Sequence, residues 1–223
     1  MGKIEDIFEF SWDNVVKLYK KDWIDNLKVF DGDAIKMYPT NFYSEADLQS
    51  QLTCELRKNY KKERYYGSEI YVKNQLTFSA GAFESTPELS DRISKLKDLM
   101  MSRTEKERFI PDIAIEADSN SNGGAFLLFA ELKYGPDFML NYGDEVPGYF
   151  RGFIENLELQ CQTMEMAVKQ KVCTSGYVCA INDGYVSHDG RKKLFDQLKG
   201  KYKKVTFLID GLSVEQKEEY LKA

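Results

Sequence analysis

The stretch FIPDIAIEADSNSNGGAFLLFAELKYG, from Phe109 to Gly135, limits the fold more than any other part of the chain. Two runs rich in Ile, Leu and Phe flank Ser119-Asn120-Ser121-Asn122-Gly123-Gly124, a dense cluster of turn formers, which predicts an antiparallel hairpin. In the second run, Ala125–Lys133, alternation sends Leu127, Phe129, Glu131 and Lys133 to one face. It sends Phe126, Leu128, Ala130 and Leu132 to the other. Both faces stay apolar until the end, the pattern of a central strand whose last residues reach a cleft. In the first run Ile110, Asp112, Ala114 and Glu116 share a face, opposite Pro111, Ile113 and Ile115. Register decides whether the charges meet, because a slip of one residue turns every side chain over. The expected pairing is one whose facing residue numbers add to an odd value near 243, which sets Asp112 opposite Glu131 and centres the turn on Ser121-Asn122. Charges at the ends of buried strands are costly to desolvate unless they are paired or hold a metal.

Elsewhere the chain reads as helices laid on a sheet. Trp12, Val15, Val16, Tyr19, Trp23 and Leu27 recur at helical spacing and predict an amphipathic segment over Ser11–Val29. Ser44-Glu45-Ala46-Asp47 resembles a capping box with Asp in place of Glu, and opens a helix to about Lys61 striped by Leu48, Leu52 and Leu56. Glu45 falls on the leucine face, so its carboxylate is aimed at the core side. It also suits the positive end of the helix dipole, which by itself requires no function. Strands are expected at Ser68–Val72 and Gln75–Ser79, then a helix over Pro87–Glu107 with Leu89, Ile93, Leu96 and Met100 on one side. After the hairpin come a loop, Gly135–Gly148, and a helix, Tyr149–Gln170, whose apolar stripe includes the polar Gln160 between Leu157 and Met164. A strand at Thr174–Ile181, a helix at Asp189–Leu198, a strand at Val205–Ile209 and a helix at Val214–Leu221 complete the chain. Strands separated by helices favour an α/β fold, a mixed sheet flanked by helices.

Composition narrows the chemistry. His188 is the only histidine, which removes Ser-His-Asp and Cys-His triads and multi-histidine metal centres. Catalysis must then rest on carboxylates, lysines or backbone groups. Cys54, Cys161, Cys173 and Cys179 lack CxxC spacing and read as reduced thiols. No apolar run reaches membrane-spanning length, and MGKIEDIFEFSWDN lacks the uninterrupted apolar region of a secretory signal, which points to the cytoplasm. A net charge of −5 argues against coating nucleic acid by bulk electrostatics but leaves room for a local basic groove. The clusters at Arg57–Arg64, Arg191–Lys193 and Lys199–Lys204 read first as solvated helix ends.

Two carboxylates on neighbouring strands, Asp112 and Glu131, make a hard oxygen site suited to Mg²⁺ or Mn²⁺, with positions left for water and substrate phosphate. Lys133 beside it could orient or help deprotonate a water and offset charge on the phosphate. The chemistry implied is phosphodiester hydrolysis. Pro111-Asp112, then eighteen residues, then Glu131-Leu132-Lys133 resembles the PD-(D/E)xK nuclease superfamily, the restriction endonuclease-like fold. That resemblance implies that Asp112, Glu131 and the backbone carbonyl of Leu132 bind the metal, while Lys133 serves the water nucleophile. It further implies that Glu45, on the helix before the strands, contributes to the catalytic and metal site, with Gln160 a secondary candidate.

The segment from Ser44 to Ile181 follows the family's helix, three strands, helix, strand core. One domain over 1–223 is expected, with a helical extension over 1–40, a nuclease-like core over 44–181 and a helix-strand-helix over 182–223. The implied activity is that of a metal-dependent DNA endonuclease, and the family's habit of cutting as pairs admits a homodimer. The alternative is a non-catalytic module on the same fold that binds nucleic acid or protein.

Overall fold

The computed structural model describes residues 4–29, 44–62, 70–74, 87–104, 111–117, 126–136, 148–183 and 196–212, with Gln216 and Glu219 beyond them. In chain order these form α1 (Ile4–Val29), α2 (Glu45–Lys62), β1 (Ile70–Asn74), α3 (Pro87–Thr104), β2 (Ile113–Ala117), β3 (Phe126–Pro136), α4 (Gly148–Lys169), β4 (Cys173–Asp183) and β5 (Val205–Leu212). The strands make one sheet in the order β1-β2-β3-β4-β5. β1, β2 and β3 run antiparallel in succession, whereas β3, β4 and β5 are parallel. The expected α/β architecture, a mixed sheet flanked by helices, is thus observed.

Each face of the sheet has its own core. Parallel neighbours need crossovers, and α4 supplies the one between β3 and β4. Leu157, Cys161 and Met164 of α4 share a cluster with Phe129, Val178 and, from the second crossover, Leu198 and Tyr202. Both crossovers therefore cover one face, as they must when strands are added in one direction with one hand. On the opposite face α1 and α2 bring Trp12, Val15, Tyr19, Leu48, Leu52 and Leu56 against Ala130, Leu132, Tyr177 and Cys179. Contact between layers is close at Gly176, where a Cβ would lie 2.6 Å from Met164 Cγ.

Several boundaries differ from the sequence reading, each for a local reason. α1 is unbroken and begins at Ile4 rather than Ser11, because Ile4, Ile7 and Phe8 continue its stripe. Ser11 interrupts that stripe but is satisfied where it is buried, donating to the Ile7 carbonyl at 2.8 Å and accepting from Asn59 at 2.9 Å. β1, Ile70–Asn74, runs two residues past the expected end at Val72, while Ser68 and Glu69 lie outside the described residues. β2 starts at Ile113, and β3 runs on to Pro136. The expected strand at Gln75–Ser79, the hairpin turn and most of the helices at Asp189–Leu198 and Val214–Leu221 lie outside the described residues.

The hairpin register is the expected one. Ile113↔Ala130, Ala114↔Phe129 and Ile115↔Leu128 each add to 243, before the pairing shifts to Glu116↔Phe126. Leu127 is then an extra residue on β3, a bulge, and it reverses the facing of the two residues at that end. Leu127 joins Leu128 on the α1/α2 side, and Phe126 packs on Phe129 across the sheet with ring centroids 4.9 Å apart. The alternation therefore fails at Phe126 and Leu127 but holds from Leu128 onward. No helix among the described residues is long and apolar enough to cross a membrane.

A candidate metal centre at the strand fork

β3 stays paired with β4 as far as Pro136↔Asp183, but its pairing with β2 stops at Ile113↔Ala130. Among the described residues, the strand beyond Ala130 pairs on one side only, and a notch separates it from the start of β2. The chemistry of Pro111 explains the fork. In an antiparallel ladder alternate pairs exchange both backbone bonds, and the next such pair would be Leu132 with Pro111. Proline has no N–H to give. Asp112 takes the place of the ladder instead: its Oδ2 accepts the Leu132 N–H at 2.7 Å. The Leu132 carbonyl leaves the strand on the same side as that N–H, so it is turned toward the notch with no N–H from Pro111 to meet it.

Three separate stretches converge there. Lys133 Nζ lies 3.2 Å from Glu131 Oε1, and 3.2 and 3.3 Å from the two carboxylate oxygens of Glu45. Alternation puts Glu131 and Lys133 on the α4 side of β3, while Glu45 comes from α2 in the other layer, so the contact is made past the point where β2 and β3 part. The first turn of α2 is held for this by its cap. Ser44 Oγ accepts the Asp47 N–H at 3.3 Å, the N-cap bond expected of the sequence, and its hydroxyl donates to Asp47 Oδ2 at 2.8 Å.

Burial sets the electrostatics. Glu131 is only 5% exposed. Desolvation pushes its carboxyl up to about 8, with Asp112 and Glu45 adding to the rise and Lys133 opposing it. Asp112 is also raised, by burial first, against the lowering effect of the Leu132 N–H and of Lys133. For Lys133 burial favours the neutral amine, but Glu131, Glu45 and Asp112 together outweigh it and hold its pKa above the ordinary value. Three carboxylates thus share one ammonium among the described residues.

All four charged residues singled out in the sequence, Glu45, Asp112, Glu131 and Lys133, are brought together. Gln160 is not joined to them: its Oε1 is buried on α4 without a hydrogen-bond partner. The next residue, Cys161, does feel the site, its thiol pushed up to about 12 by burial first and then by Glu131. One contributor was missed in the sequence. Gln49, one helical turn after Glu45, donates from Nε2 to the Asp112 carbonyl at 2.6 Å. Its signal was its place: a polar residue between Leu48 and Leu52, on the face that carries Glu45 toward the core.

The donor set suits a hard divalent cation, because it consists of carboxylate and carbonyl oxygens and carries surplus negative charge. Among the described residues no group of three Asp, Glu, His or Cys side chains is arranged to hold a metal ion. Glu45 has both oxygens on Lys133. The oxygens left to face a cation are those of Asp112 and Glu131 not already bonded to Leu132 and Lys133, with the Leu132 carbonyl. No protein-family model, curated protein or solved structure matches the chain.

Proposed function

We propose that the protein is a nuclease of the PD-(D/E)xK type, an endonuclease that hydrolyses phosphodiester bonds of DNA with Mg²⁺ or Mn²⁺. The observation that carries this reading is the convergence of Glu45, Asp112, Glu131 and Lys133 where β2 and β3 part. Asp112 and Glu131 would hold the metal together with the Leu132 carbonyl. Bound there, Mg²⁺ or Mn²⁺ would lower the pKa of a water and stabilise the charge that builds on the phosphate. The ammonium of Lys133, which bridges Glu131 and Glu45, would supply positive charge beside that water and a phosphate oxygen. Glu45 holds the ammonium on the α2 side, so that its position is set by two carboxylates. DNA as substrate, and action as a homodimer, are what the resemblance implies; sedimentation of the full chain measures the second.

A panel of labelled duplex, single-stranded and branched DNA, incubated with Mg²⁺ or Mn²⁺, tests the reading. Cleavage by the wild type and none by Lys133→Ala supports it, and equal cleavage by both would mean that the activity is a contaminant's. A second reading has one observation in its favour. Lys133 already closes an ion-pair network with Glu45 and Glu131, and the described residues offer no three-sided acidic cluster. On that reading the four residues are a structural knot in a non-catalytic binding module, and DNA binding without cleavage is its expected result.

A further inference from the structure

We infer that Gln49 is a positioning residue for the fork, holding Asp112 through its main chain so that one carboxylate oxygen remains for a divalent cation. This rests on the proposed nuclease reading. Asp112 lies just before β2 begins at Ile113, so it lacks the ladder bonds that hold the strand residues in place. Two other bonds fix it instead. On one side Oδ2 is tied to the Leu132 N–H at 2.7 Å, and on the other the Asp112 carbonyl accepts Gln49 Nε2 at 2.6 Å. Between them they constrain both the path of the peptide and the rotation of the side chain, and Oδ1 takes part in neither bond.

Gln49 is itself held firmly. It is 8% exposed, and its own carbonyl accepts Thr53 Oγ1 at 2.7 Å one turn further along α2. An apolar residue would fill this place between Leu48 and Leu52 at no polar desolvation cost, so the amide is there for the bond it makes. The same face of the same helix carries Glu45 to Lys133. α2 therefore sets the position of a metal-binding carboxylate and of the cation beside it with one rigid body, through residues one turn apart.

The test uses the full chain carrying Gln49→Met, which keeps length and packing but removes the donor, with Gln49→Glu as a second variant of similar size should the first fail to fold. Exchange of the Leu132 amide, followed by NMR without added metal, is expected to quicken about tenfold or more in either variant, with the Leu52 and Val178 amides unchanged. Calorimetric titration with Mn²⁺ alone is expected to show affinity weakened about tenfold or more. Half-saturating Mn²⁺ for DNA cleavage rises by the same factor, while the rate at saturating Mn²⁺ stays within about threefold of wild type. A Leu132 amide that exchanges at the wild-type rate in both variants overturns the inference, as does an unchanged Mn²⁺ affinity. Should the wild type bind no Mn²⁺, the nuclease reading fails, and Leu132 exchange alone still decides whether Gln49 holds Asp112.

Discussion

On the α1 side of the sheet, Glu5 accepts a hydrogen bond from Ser175 and Glu9 accepts one from Tyr177 at 3.0 Å, whereas at the fork Glu45 and Glu131 both lean on the one ammonium of Lys133. Both clusters set carboxylates from a helix against polar groups of a strand, on adjacent strands, yet their charge balance differs. In the first, each carboxylate has a hydroxyl of its own, and burial followed by Glu9 raises the Tyr177 hydroxyl so that it remains a donor. In the second, Glu45 and Asp112 crowd Glu131, and burial raises Asp112 and Glu131. Folding is served by the first arrangement, where the buried Tyr177 and its half-buried or exposed neighbours are simply satisfied. The second brings more negative charge into a notch than the described residues neutralise, at a cost in stability that a bound divalent cation would offset.

The comparison breaks most easily at Lys133. Lys133→Ala should lower DNA cleavage by about 10²–10³-fold or more, as loss of a preorganised charge at the reacting phosphate does. Tyr177→Phe in the other cluster should leave cleavage unchanged, and single-turnover rates on the same oligonucleotide separate the two. Next comes pH. Glu131 is raised from its ordinary 4.5 to about 8, so the folded protein holds a proton there that the unfolded chain has released. Its contribution to stability is therefore full below pH 4.5 and is lost as pH rises through 8. Glu131→Gln should flatten that fall and, without added metal, stabilise the protein at pH 8 by about 1–3 kcal/mol in chemical denaturation.

Smaller effects sharpen the contrast. Gly176→Ala forces a methyl group against Met164 and Val168, and should cost about 1–3 kcal/mol through overpacking while leaving the cleavage rate per folded molecule intact. Tyr177→Phe deprives Glu9 of a donor, with an expected loss of about 0.5–1.5 kcal/mol by denaturant titration. The exposed pair Lys95–Asp91 is the baseline: Lys95→Ala should change stability by less than about 0.5 kcal/mol.

Much of the fork could be read from the chain because strand alternation has a period of two. Once the turn formers at 119–124 and the charges at Asp112, Glu131 and Lys133 were set against that period, only one parity of register brought the charges together, and it is the one observed. Helical periodicity placed Glu45 on the inward face of α2 in the same way. What escaped depended on bonds that no period reveals. Leu127 is bulged, so it and Phe126 face opposite to expectation. Ser11 hid the true start of α1 by placing a hydroxyl in an apolar stripe, where a bond to the Ile7 carbonyl satisfies it. Gln49 seemed only a polar residue among leucines, since its partner is a backbone carbonyl 63 residues away. The first run was read as strand through Pro111 and Asp112, before β2 in fact begins at Ile113, because the missing N–H of Pro111 matters only once its partner across the ladder is known.

Thermal melting of the full chain at pH 8, with and without Mn²⁺, bears most directly on whether the fork is a cation site. A ligand that binds only the folded state raises the midpoint, so Mn²⁺ should shift the wild type upward and Asp112→Ala little or not at all. A wild type whose midpoint ignores Mn²⁺, or an Asp112→Ala variant that shifts as far as the wild type, would contradict the assignment.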